Sequence, residues 1–194
     1  MRLSAFVLSA SVALIATATT ARAEALAERV FGGPVGAEKS YACFVRRYDA
    51  RHLARHPRQQ VSAMKLLVAA EPDPESKTLV YAFKLAVQFR GRTETFQSGG
   101  ECAHSENAET GQLGCGVDCD GGGIDLMLAK DDKSVLMKTE RVRIWRDDVE
   151  DEEEQGLPEL GGADDRAFRL DRAGLDACKA LIKAYGEVAA VSRK

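Results

Sequence analysis

The sequence predicts an all-β protein, an antiparallel barrel or sandwich with the barrel preferred, carrying a short C-terminal helix. Two observations carry this. Leu79, Tyr81, Phe83, Leu85, Val87 and Phe89 alternate with Lys84, Gln88 and Arg90 over one stretch, and strict alternation marks a half-buried strand rather than a helix. Around it lie many short strand-like segments separated by turns, with no crossover helices between them, which argues against a parallel α/β sheet. A barrel manages long edge strands by closing on itself.

The elements follow in order. Tyr41–Tyr48 and Val61–Ala69 read as strands rich in β-branched and aromatic residues. Between them Asp49 can cap a short helical turn over Ala50–Arg55, which Pro57 must end. The long strand Leu79–Arg90 turns through Arg90-Gly91-Arg92 into Thr93–Gln97. Further strands are Ile124–Lys130, Ser134–Lys138 and Arg141–Arg146, with Asp131-Asp132-Lys133 as a hairpin tip, and Ala167–Leu170 adds a short one. Leu175, Cys178, Ile182 and Tyr185 recur at three and four, the mark of an amphipathic helix packed on the body. This strand order with a C-terminal helix resembles lipocalin-type barrels in architecture, without a motif of that family.

Residues 1–23 fix the compartment. Arg2 supplies a positive start, Ala5–Ala18 an apolar stretch, and Ala21-Arg22-Ala23 a small-x-small cleavage site. That is the anatomy of a secretory signal peptide, and it predicts a periplasmic or secreted protein; the leader and the Ala/Arg-rich composition suggest a bacterium. Residues 24–194 then form one β-rich domain of about 170 residues. Cleavage removes Arg2 and Arg22 but no acid, so the mature chain is more acidic than the net −3 of the full chain. A mildly acidic exported protein is a poor fit to nucleic acid, whose phosphates need a basic face. The apolar leader is too short for a membrane span and no second segment approaches that length. Within the domain, 147–165 is rich in Asp, Glu and Gly and lacks Lys and Arg, which predicts an acidic flexible loop.

Five cysteines, Cys43, Cys102, Cys115, Cys119 and Cys178, remain after cleavage, and an oxidising compartment turns them into disulfide candidates. An odd number leaves one sulfur over. Cys43 with Cys178 would staple the two ends of the domain; Cys102 then pairs with Cys115 or Cys119.

The densest chemical cluster is Gly114–Asp125. Asp118, Asp120 and Asp125 offer carboxylates for a hard cation such as Ca, and the glycines allow carbonyls to close in. The match is partial: Gly122 stands at the fifth position and Ala129 at that of the closing Glu. Cys115 and Cys119 form a second, thiol-based possibility, one residue wider than the redox spacing. The plainer expectation is a disulfide-pinned turn feeding the next strand, with no cofactor. His52 and His56 have protease-like spacing, but Leu53 stands where the general base belongs, and arginines surround the pair. Arg46, Arg47, Arg51, Arg55 and Arg58 are opposed locally by Asp49 alone. They could meet an anionic partner, face solvent, or serve as counterpart to Asp147–Glu154.

No catalytic set emerges. The sequence therefore points to an exported, disulfide-stabilised, non-catalytic binding module whose partner is an envelope component. Two alternatives stand beside it: a carrier holding a small apolar ligand behind Tyr81, Phe83 and Phe89, and a metal-dependent or thiol enzyme using the Gly-Asp-Cys loop.

Overall fold

A computed structural model of the chain describes residues 25–76, 78–104, 112–117, 120–146, 160–162 and 164–192. A helix over residues 25–31, here α1, leads to β1 (Ser40–Arg47). There follow α2 (Ala50–Arg55), β2 (Val61–Pro72), β3 (Leu79–Phe89), β4 (Phe96–His104), β5 (Gln112–Gly116), β6 (Gly122–Leu128), β7 (Ser134–Val142) and β8 (Ala167–Ala173). A 3-10 turn over Leu175–Cys178 then opens into α3 (Lys179–Ser192). The eight strands close a barrel in chain order. Each is antiparallel to the next, and β8 returns to β1 through Cys43↔Ala173 and Val45↔Asp171.

The barrel forms because its strands alternate. Along β3, Tyr81, Phe83, Leu85, Val87 and Phe89 are buried and the residues between them are not. With eight strands the interior is just wide enough for side chains to fill it. Phe44, Phe83, Phe96, Phe168, Met64 and Met137 do so, each under 2 % exposed. The row behind which a ligand cavity was one expectation is thus packed core. β2 breaks the alternation, since Leu67 and Ala69 are buried as well as Leu66 and Val68. The reason is outside the wall: Cys178, Leu181 and Tyr185 pack on Cys43, Leu67 and Ala69 in a second core. A strand covered on both faces reads as a continuous apolar run.

The structure departs from the sequence reading at four places. β4 begins at Phe96 and runs to His104, because Arg92–Thr95 belong to the turn. The glycine stretch holds a strand, β5: Leu113 and Cys115 are buried, while Gly114 pairs outward with Asp125 and Gly116 with Gly123. β7 runs on to Val142, and the chain beyond it leaves the sheet apart from the bridge Trp145↔Gln97. Helix α1 was not expected at all. Two glycines are fixed by close approach: a Cβ on Gly100 would run into the Gly116 carbonyl, and one on Gly122, at φ 79°, into that of Arg141.

The leader, residues 1–23, lies outside the described residues. So does the predicted acidic loop up to residue 159. Its far end is anchored: Leu160 is fully buried and bridged to Val142, and buried Asp165 accepts from the backbone N–H of Gln60 (2.8 Å) and Val61 (3.4 Å). Leu160, toward the far end of that predicted loop, is buried in the same core cluster as Val142 and Ile144.

Candidate functional site

An up-and-down barrel places alternate turns at the same end. The β1–β2, β3–β4, β5–β6 and β7–β8 connections therefore share one end, opposite α1. The first of them is built on α2. Asp49 caps this helix by accepting from the His52 N–H at 2.7 Å, a bond that satisfies one orphan donor of the first turn. The turn after it is held by Arg90, whose Nη1 lies 3.3–3.4 Å from the carbonyls of Leu53, His56, Pro57 and Gln59. Gln59, itself buried, donates to the Val61 carbonyl at 2.8 Å and meets His52 Nε2 at 3.0 Å.

Arginine gathers on this scaffold. Arg47, Arg51, Arg55 and Arg58 are exposed on α2 and its flanks. Arg90 and Arg92 join them from the β3–β4 turn, and Arg141, Arg143 and Arg166 from the ends of β7 and β8, all exposed. The described lysines lie elsewhere, on the middle of the wall, at the opposite end, or on α3. Among the described residues, Arg58 of this set has a salt bridge, to Asp164 at 3.0 Å, while Arg51, Arg55 and Arg143 make none and Arg92 stands near the Glu94 carboxylate. Arg46 stands apart: it turns to the wall, pairs with Asp171 at 3.1 Å, and lies 5.1 Å over the Tyr48 ring. Tyr48 stacks on His52 at 4.6 Å, and His52 on His56 at 4.4 Å. The histidines are ring-stacked neighbours, with one Nε2 already committed to Gln59.

Sequence reasoning found the α2 arginines and missed those of the other turns. Their signal was available in principle, because chain-order meandering alone puts the four connections at one end.

The cation loop belongs to the same end. Asp118 and Cys119 lie outside the described residues. Asp120 sits at the turn tip with φ 58°, and its carbonyl accepts from Arg141 at 3.4 Å. Asp125 lies along β6, exposed on the outer wall opposite Lys138. Among the described residues no three His, Cys, Asp or Glu side chains group to hold a metal. The disulfides are Cys43–Cys178 and Cys102–Cys115. The first ties the 3-10 turn before α3 to β1 across 135 residues, and the second joins neighbouring strands. Two bridges fit an oxidising compartment. Among the described residues no helix is long and apolar enough to cross a membrane.

Fold and site together define a closed, disulfide-stapled antiparallel barrel with arginines gathered, among the described residues, at one end. No family model, curated protein or solved structure matches the chain.

Proposed function

We propose that the protein is an exported, non-catalytic binding module that meets an anionic component of the envelope through its arginine end. One observation supports this reading most: three separate connections converge to present arginine and no lysine among the described residues of that end. A merely solvated surface gains nothing from that choice. Guanidinium differs from ammonium in offering a planar fork of donors that binds carboxylate or phosphate in pairs. The positions are also pre-set, since Arg90, after β3, and Asp165, before β8, hold the turn that follows α2.

The test uses two simple polymers, polyglutamate and polyphosphate, titrated at low and at high salt. Wild-type protein should bind at least one of them, more weakly as salt rises. Arg51→Glu/Arg55→Glu should lose about tenfold or more, the equivalent of roughly 1.4 kcal/mol. Affinity unchanged by the double reversal, or no binding of either polymer at low salt, would sink the reading.

A further inference from the structure

At the end opposite the arginines, α1 lies across the barrel mouth. Leu26, Ala27 and Val30 are buried in the same core cluster as the inner wall, and Phe31 stacks on Tyr81 at 6.4 Å. Beneath Val30 is a void of about 10 Å³, walled by Phe44, Val68, Leu113, Leu126 and Val135 from five different strands. The wall around it is wholly apolar.

The helix ends just above this mouth. Gly32 takes φ 75° and the Gly33 N–H donates back to the Glu28 carbonyl at 2.9 Å, the six-to-one closure that ends many helices. The carbonyls of Arg29 and Val30 have no partner inside the helix. Arg172 of β8 takes both, donating to Arg29 at 3.0 Å and to Val30 at 2.8 Å. The same guanidinium donates to the Asp132 carbonyl at 2.7 Å and lies 4.8 Å over the Phe44 ring. Arg172 is thus a cation at the boundary of an apolar cup, with two of its donors spent on the negative end of a helix.

Seen from the barrel, α1 therefore offers a short apolar tail next to a patch of partial negative charge. We propose that it is the built-in occupant of a binding cup for a single-chain amphiphile with a carboxylate head, a fatty-acid-like molecule. The ligand tail replaces Leu26, Ala27 and Val30, and its carboxylate takes over the two Arg172 bonds. The void is far too small for such a tail, so ligand and helix compete for one place. The helix is suited to leave. It is short, and its second latch, Arg29 to Asp132 at 2.8 Å and to the Ala129 carbonyl at 3.1 Å, is partly exposed and so holds weakly. This cup is independent of the arginine end and stands or falls separately.

The experiment is a titration of dansyl-undecanoic acid into wild type, Arg29→Ala and Leu26→Asp, each checked by far-UV circular dichroism and for intact disulfides. Arg29→Ala loosens the helix without touching the cup, and should bind the probe about three- to tenfold more tightly than wild type. Leu26→Asp should do so more strongly. Adding Arg172→Met to Arg29→Ala should erase the preference for the acid over its methyl ester. Amide exchange over residues 25–31 should speed up when probe is bound. The proposal is overturned if folded Arg29→Ala binds no tighter than wild type, if bound probe leaves that exchange unchanged, or if acid and ester bind Arg29→Ala alike. Polymer binding at the arginine end should be the same in all these variants, so either reading can fail alone.

Discussion

Removing the long disulfide should cost more than removing the short one, by an amount set largely by loop length. Cys43→Ala/Cys178→Ala releases a loop of 135 residues, and Cys102→Ala/Cys115→Ala one of 13. On the chain-entropy argument these are worth about 5 and about 3 kcal/mol at room temperature. Native packing pushes the same way. Cys43 and Cys178 are each 1 % exposed, between Leu67 and Leu181, and couple α3 to the barrel. Cys102 and Cys115 join strands that already pair on both sides. The assay is guanidinium unfolding followed by the single tryptophan, Trp145, and by far-UV circular dichroism. Both variants should lose unfolding free energy, the long-bridge variant by about 2 kcal/mol more, and the slopes should rise as the freed chains expose more surface. If the short-bridge variant is hurt equally or more, loop length is not the governing quantity, and residual structure in the unfolded chain has overridden it.

Four further substitutions test the packing. Burial pushes the Asp165 carboxyl up from its usual value, an effect that its bonds from Gln60 and Val61 only partly offset. The folded protein therefore takes up this proton at a higher pH than the unfolded chain, and ionised Asp165 costs stability above its folded pKa. Asp165→Asn should accordingly be at least as stable as wild type at neutral pH and lose its advantage near pH 4 (about the free carboxyl value); thermal melts at both pH values decide it, and a large loss at neutral pH would show that the two backbone bonds outweigh desolvation. Gly100→Ala drives a methyl into the Gly116 carbonyl, whereas Gly116→Ala meets nothing within 4 Å. Denaturant curves should show a loss of about 1–3 kcal/mol for the first and almost none for the second. Phe83→Ala, at a site 1 % exposed, should cost about 3–5 kcal/mol by the same method.

What the sequence made legible was whatever a period could report. β3 alternates apolar and polar for its whole length, so its existence and inward face were plain. The α2 cap was plain because Asp49 stands directly before a helical stretch that Pro57 closes. β5 was hidden because two of its outward positions are Gly114 and Gly116, which read as turn material while Leu113 and Cys115 face the core. Helix α1 was hidden by its shortness: its three buried residues, Leu26, Ala27 and Val30, span barely two turns and do not make a period. Its burial comes from the barrel mouth, a surface that exists once eight strands have closed. The partner of Cys102 was open for the same reason, since it depends on the register Cys102↔Cys115 and thus on a strand the pattern concealed. The basic run on α2 was visible, and the arginines that complete its end were not, because they are far apart in sequence and joined by topology alone.

Where a partner can bind follows from how the barrel disposes of its apolar surface. The interior is filled, and β1–β3 are covered outside by α3. Among the described residues, the exposed large apolar ones, Val80, Leu136 and Leu175, lie on β3, on β7 and in the turn before α3, so they are spread over the surface. A broad apolar interface on the wall is therefore a poor fit, since such interfaces need a contiguous patch. Recognition is left to the two ends, and they differ in kind. The arginine end presents exposed guanidinium groups among its described residues, which suits long-range attraction to a polymer and predicts a fast, salt-sensitive association. The α1 end is apolar and filled by a short helix held by Arg172 and by the partly exposed Arg29 latch, which suits one small molecule and predicts slower binding that waits on helix departure. Stopped-flow kinetics separate these. Polymer association should scale with polymer concentration and fall with salt. Dansyl-undecanoic acid association should level off at the helix-opening rate and ignore salt. A fatty-acid rate that keeps rising linearly with concentration would mean that α1 need not move, and that the cup it covers is not where the probe binds.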